Sequence, residues 1–322
     1  MKTKTVDVSN LFEAAQLPCV SPVIIEETEG MYPHKENPYD NWSYFTAAGF
    51  IALRDRNMFP RVVSVVGIGS GVEGIAAERV FHGSLRHLII SDVEEEVALG
   101  AGRNVRAHLP SRSSARITAC VGSFCEPMVE AGLMADIIHA NIPNLPSSDT
   151  TDLSRGEERG TFLRSTLYED YNPPEKYVKW ALGAQYAYLK SAQGALSDRG
   201  SVLTEVGGRV PLELLYELFD DLGFSCQPVL VGFKEQSEAL MDFIGYHEFE
   251  KQYGVKFTFY HCEPARATLQ EFGSGCVFEN VPSEDIQSAL ERHRVTAGDA
   301  IELHGRNVAV GHTVHILRGV KK

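Results

Sequence analysis

The sequence predicts an α/β protein: a parallel sheet with helices on both faces. From residue 61 onward, continuous Val/Ile runs ("RVVSVVGIG", "HLIISDV", "ARITACVGS", "ADIIHANI") alternate with stretches of helical periodicity. Runs without polar alternation belong to strands buried on both faces, as happens when helices cross over between parallel strands. The first run also ends in a glycine-rich turn that opens a helix, Gly67, Gly69 and Gly71 within seven residues of Val65.

Residues 1–60 read as an N-terminal helical cap or lid, because Pro18, Pro22, Pro33 and Pro38 interrupt short apolar pieces. Within "NWSYFTAAGFIALRDRNMF", Trp42, Phe45, Ala48 or Gly49 and Leu53 recur at helical spacing, which predicts a helix stopping at Pro60. Residues 61–262 hold the sheet. After strand one a helix is expected from Val72 to about Phe81, and after strand two another from about Glu95 to Leu109. Strands three and four are followed by a long helical stretch from about Pro174 to Leu196, then the strand "GSVLTEVGG" and the helix "PLELLYELFDDLGF". "CQPVLVGFKE" and "KFTFYHC" complete seven strands, the last two as antiparallel partners. Residues 263–322, with the helix candidate "SEDIQSALERHRV" and the β-like "CVFENV" and "NVAVGHTVHILRG", read as a C-terminal extension.

Composition removes several function classes. A net charge of -13, with Lys and Arg scattered, opposes a phosphate backbone, so no nucleic-acid partner is expected. No apolar stretch approaches the roughly 20 residues of a membrane span, and no apolar segment follows Lys2 and Lys4 as in a secretory signal. The expected location is the cytoplasm, with a homodimer among the allowed assembly states. Cys19, Cys120, Cys125, Cys226, Cys262 and Cys276 form no Cys-x-x-Cys pair and no zinc spacing with His, so they are read as reduced thiols and no metal is expected.

The chemistry sits at the strand ends. Glycines at 67, 69 and 71 let the backbone bend tightly and approach a ligand, while the helix start offers free N–H donors. Gly69, Gly71 and Gly74 also satisfy the dinucleotide fingerprint, so the glycines alone leave a nicotinamide oxidoreductase open. Asp92 ends strand two 21 residues beyond Gly71, where a carboxylate reaches ribose hydroxyls or caps the next helix. Strand three ends in "VGSFCE", where Ser123 and Phe124 suit an adenine, one by hydrogen bonding and one by packing. Strand four ends in Asn141-Ile142-Pro143-Asn144, an amide beside a rigid turn.

Taken in order, Gly-x-Gly-x-Gly, an acid, a Gly-Ser turn and Asn-x-Pro resemble the motif series of class I S-adenosylmethionine (SAM) dependent methyltransferases over about residues 61–262. The resemblance implies a Rossmann-like seven-stranded sheet with SAM as cofactor. It puts Gly67, Gly69 and Gly71, with Ser70, along the methionine part, Asp92 and Val93 at the ribose, and Gly122, Ser123 and Phe124 at the adenine. The Asn-x-Pro turn is similar to that of the Asn-Pro-Pro-Tyr branch, which includes glutamine-N5 and adenine-N6 methyltransferases. By that likeness the Asn141 amide and Pro143 carbonyl accept hydrogen bonds from the reacting nitrogen, and Asn141 is counted among the cofactor-binding residues as well.

Two departures bear on the substrate. Asn144 replaces the terminal aromatic of the branch, which makes a planar substrate doubtful, and Val65 stands where many class I enzymes carry the acid that anchors the SAM ammonium. A free amine could attack the γ-carbon of SAM itself, giving azetidine-2-carboxylate and methylthioadenosine; the chain thereby resembles azetidine-2-carboxylate synthases, and an external nucleophile there would give aminocarboxypropyl transfer. Methyl transfer to nitrogen or oxygen of a small molecule ranks first, this γ-carbon chemistry second. A binding module without turnover is a further reading. Between strand four and the next helix, Tyr168, Tyr171 and Tyr177 could offer ring faces to a sulfonium, among Arg155, Arg159 and Arg164; Tyr171 and Tyr177 are assigned catalytic roles with Asn141 and Pro143. Tyr39, Trp42, Tyr44 and Phe45 could close the site from the N-terminal side.

Overall fold

In the computed structural model, residues 3–17, 19, 21–111, 113–147 and 151–322 are described. Pro18 of the N-terminal arm and residues 148–150 of the loop after strand four lie outside them.

The chain begins with β1 (Thr3–Asp7), α1 (Ser9–Ala14), β2 (Ile24–Thr28) and α2 (Trp42–Asp55). The wound series follows: β3 (Val62–Val66), α3 (Val72–Phe81), β4 (His87–Asp92), α4 (Glu95–Ala107), β5 (Arg116–Val121), α5 (Glu126–Glu130) and β6 (Ala135–Asn141). A loop region carries β7 (Leu145–Ser147), α6 (Gly156–Thr161), β8 (Phe162–Arg164), α7 (Glu175–Val178) and α8 (Gly183–Ala192). Next come β9 (Leu196–Gly207), α9 (Leu212–Asp221), β10 (Phe224–Glu235), α10 (Ala239–Tyr253), β11 (Phe259–His261) and α11 (Cys262–Leu269). The chain closes with β12 (Val277–Glu279), α12 (Ser283–Leu290), β13 (Arg294–Val295), α13 (Ala297–Gly305) and β14 (Val310–Lys321).

The main sheet runs β12-β10-β14-β9-β6-β3-β4-β5, with β11 and β13 paired at the side of β14. Neighbours from β9 through β5 are parallel, as the apolar runs predict. Helices cover both faces: α1, α2 and α3 bury Phe12, Phe45, Phe50 and Phe81 on one, while α8, α9 and α10 bury Tyr188, Phe219 and Phe243 on the other. The α/β architecture is therefore as the sequence predicts. No helix of the described residues is long and apolar enough to cross a membrane.

Four expectations need correction. The break at 262/263 does not divide the fold: β14 runs antiparallel between β9 and β10, so the supposed extension supplies an interior strand. Its first eight residues are buried. Correspondingly, β10 pairs antiparallel with β14 on one side and β12 on the other, and "KFTFYHC" contributes only the short β11 beside β14. Strand neighbours this distant are chosen by tertiary packing, which local periodicity does not encode. Finally, the long helix expected over 174–196 is broken between α7 and α8, where Ala181 takes a left-handed φ of 55°, and α2 ends before Asn57, at φ 62°.

Candidate active site

From β3 the chain winds outward to β4 and β5, then returns to place β6 on the opposite side of β3. The connections leaving β3 and β6 thus diverge, and a crevice opens at their carboxyl ends, where wound sheets bind ligands. A cavity of about 400 Å³ lies there, with Gly67, Asp92, Ser123 and Asn141 all on its wall. That volume is within the range of small-molecule sites.

The glycine turn is built for close approach. Gly67, Gly69 and Gly71 have φ of 69°, 53° and 93°, a region that side chains with a Cβ enter at a cost. Gly67 faces the other half of the crevice: a Cβ there would lie 3.8 Å from the Asn141 carbonyl oxygen. Gly69 has open space around its Cβ direction and lines the cavity with Ser70. Gly71 does not line it. A Cβ at 71 would stand 2.9 Å from the Ala101 carbonyl oxygen, so this glycine lets α3 pack against α4 and its assignment to the cofactor is corrected to packing.

Asp92 binds the turn directly. Its Oδ2 accepts the Gly69 N–H at 3.3 Å and its Oδ1 accepts the Glu94 N–H at 3.1 Å. Burial pushes this carboxyl up from its ordinary range, while the two backbone N–H groups pull it back toward the carboxylate. It does not cap α4, whose N-cap is Glu94. Val93, Gly122, Ser123 and Phe124 line the same end of the cavity. Phe124 is held at φ 49°, unusual for an aromatic residue, with its ring edge-on to Tyr171.

Asn141 ends β6 and lines the cavity beside Pro143, and its carboxamide makes no hydrogen bond to any described residue. Asn144 instead accepts from Gln185 Nε2 at 3.3 Å. The two tyrosines assigned to catalysis are not on the cavity wall. Tyr177 is fully buried with its hydroxyl donating to Asp221 at 2.7 Å, and Tyr171 donates to Glu126 at 2.6 Å behind Phe124. Both are corrected to packing roles; the periodicity of a loop does not say which way its rings turn.

The remaining wall was not legible from motifs. Glu73 of α3 and Glu205 of β9 line it, and both are buried. With His139 beneath them they bring ligand-type atoms within 4.8 Å of one another. His139 Nε2 lies 3.2 Å from Glu73 Oε2 and 3.1 Å from Thr46 Oγ1, and the Thr46 hydroxyl also donates to Glu205. Burial, and then the Glu73 charge, push the Glu205 carboxyl well above the carboxylate range. Two residues on from Gly207, Arg209 donates to Gln236 Oε1 at 2.9 Å and to the Tyr246 hydroxyl at 3.2 Å. The signals in the sequence were single polar residues inside apolar runs, His139 in "ADIIHANI" and Glu205 in "VLTEV".

The N-terminal arm and the loop after β7 roof the cavity together. Gly156 donates to the Glu29 carbonyl at 2.8 Å, and a Cβ on Gly160 would meet the Tyr32 ring at 2.3 Å. Tyr32 in turn donates to Glu238 at 2.5 Å. Of the aromatic residues expected at the entrance, Trp42 lines the cavity; Tyr44 and Phe45 belong to the core, and Tyr39 is exposed. Arg159 and Arg164 line it too, whereas Arg155 pairs with Glu158 outside.

No protein-family model and no curated protein matches the chain. Solved structures do. A SAM-dependent methyltransferase from Agrobacterium tumefaciens is 11% identical, with 67% of this chain and 61% of that one covered at TM-score 0.41. Precorrin 8w decarboxylase from Methanobacterium thermoautotrophicum is 11% identical, covering 91% of this chain and 95% of that one at TM-score 0.39. A ribosomal protein L11 methylase from Lactobacillus delbrueckii subsp. bulgaricus is 15% identical, covering 60% and 72% at TM-score 0.37. At TM-scores below 0.5 these likenesses carry no function across.

Proposed function

We propose that the chain is a SAM-dependent transferase acting on a small molecule, by in-line transfer of the methyl group to nitrogen or oxygen. The observation that carries this is the cavity itself, where Gly67 and Asn141 face each other across the crevice and Asp92 waits at the next strand end. Asp92 would take the ribose hydroxyls, the Gly67–Gly69 backbone the chain beyond it, and Phe124 the adenine. The unengaged Asn141 amide would accept a hydrogen bond from the nucleophile. The acceptor's nitrogen or oxygen lone pair attacks the methyl carbon, the carbon–sulfur bond electrons return to sulfur, and the acceptor's proton leaves to solvent. The sulfonium is already activated, so positioning supplies most of the rate. The roof formed by the arm and loop supports a small acceptor over a folded macromolecule.

The γ-carbon of SAM gives a second reading, favoured by Val65, which is fully buried in the core and offers the ammonium no acid. Incubation with SAM, with and without amine and hydroxyl acceptors, separates the two by product. Adenosylhomocysteine supports methyl transfer; methylthioadenosine supports γ-carbon attack; neither product in any acceptor screen removes the transferase reading.

A further inference from the structure

Beyond Asn141 the cavity wall carries Glu205 and Arg209, buried groups of opposite sign that form no ion pair with each other. Glu205 is fully buried, and its Oε1 has no hydrogen-bond partner. Arg209 is 5% exposed and forms no ion pair among the described residues. Its partners are all neutral: Gln236 Oε1, the Tyr246 hydroxyl and His312 Nε2, the last 2.9 Å away on a ring whose protonation burial strongly disfavours. Its Nε is unpartnered. The nearest counter-charge, Asp242 on the same wall, reaches the guanidinium only through Gln236, which donates to Asp242 and accepts from Arg209. A buried cation without a directly paired carboxylate is costly, as is a buried carboxylate pair.

Gly207 sets the spacing. A Cβ there would stand 2.3 Å from Arg209 Nη1, so the guanidinium lies over the position a side chain at 207 would fill. Glu205 is two residues earlier on the same strand, about 6.5 Å away along it and on the same face. An α-amino-acid group, with charge-assisted contacts of about 2.8 Å at each end, spans a gap of that order.

We propose that this chamber is a subsite for an α-amino-acid group, Glu205 and Glu73 receiving its ammonium and Arg209 its carboxylate. The proposal deepens the transferase reading and rests on it only for the neighbouring adenosyl site. The group is either the amino-acid end of SAM, replacing the anchor missing at Val65, or a separate amino acid. The competing occupant is a metal ion on Glu73, His139 and Glu205. His139 does not line the cavity while both glutamates do, and a metal on them would leave Arg209 without a directly paired carboxylate.

Calorimetry with methylthioadenosine, adenosylhomocysteine and free L-methionine tests this on the wild type, Arg209→Gln and Glu205→Gln. Expected is a preference of the wild type for adenosylhomocysteine over methylthioadenosine of about tenfold or more, in keeping with charge-assisted contacts. Each variant should shrink that ratio toward one while keeping its methylthioadenosine affinity, which also reports a folded adenosyl site. A ratio near one in the wild type, with Arg209-dependent binding of L-methionine to the loaded protein, supports the separate amino acid as source. Failure of both adenosyl ligands sinks the transferase reading alone, because L-methionine binding to the free protein still reads out Arg209 and Glu205. Variants that change neither the ratio nor L-methionine binding overturn the proposal, as does a stoichiometric metal ion found by elemental analysis and lost in Glu205→Gln.

Discussion

Asp92 Oδ2 accepts the backbone N–H of Gly69 at 3.3 Å, tying the end of one strand to the glycine turn of its neighbour. The carboxylate is thereby fixed at the cavity wall before any ligand arrives, so little ordering remains to be done on binding. Asp92→Ala should weaken SAM binding roughly 10- to 100-fold, the range for hydrogen bonds to a charged group. A titration of the variant showing unchanged affinity would remove Asp92 from the ribose site.

Gly69 and Gly71 should part company on substitution. Gly71→Ala places a methyl against the Ala101 backbone at φ 93°, and neither helix can easily yield. It should lower stability by about 1–3 kcal/mol in denaturant unfolding. Gly69→Ala meets open space but projects into the cavity, so it should cost less stability and more SAM affinity. The reverse ordering would contradict the division of roles.

Asn141→Ala should leave SAM affinity within a few-fold of the wild type. Turnover should fall by about 100-fold, since the residue orients the nucleophile and does not activate the electrophile. Equal losses in kcat and in SAM affinity would instead make Asn141 a cofactor-binding residue.

Asp242 gives a pH signature. Burial raises its carboxyl from 3.8 to about 6, against the pull of Arg209. Between those values the folded protein keeps a proton that the unfolded chain has released. Its contribution to stability is therefore largest below the lower value and is lost as pH rises through about 6. The stability of the wild type minus that of Asp242→Asn should fall by roughly 1–3 kcal/mol between about pH 4 and about pH 7. A flat or rising difference would mean that Asp242 is ionised throughout.

Much of the adenosyl half of the cavity was legible because Gly67, Asp92, Ser123 and Asn141 each end a predicted strand, and parallel crossovers bring all such ends to one edge. The other half was not. Glu205 and Arg209 share one stretch of sequence, but their meaning depends on Thr46 from α2, Gln236 beyond β10, Tyr246 from α10 and His312 on β14. Those partners converge only when the last strand slots between β9 and β10, a pairing fixed by long-range packing. Tyr177 misled for the same reason: its ring faces α9 and the core, away from the sulfonium site.

Isothermal titration of the wild-type protein with SAM and with adenosylhomocysteine tests the central claim most directly. Saturable binding of both at one site per chain, weakened in Asp92→Ala, is the predicted result. No measurable heat with either ligand would contradict an adenosyl site in this cavity.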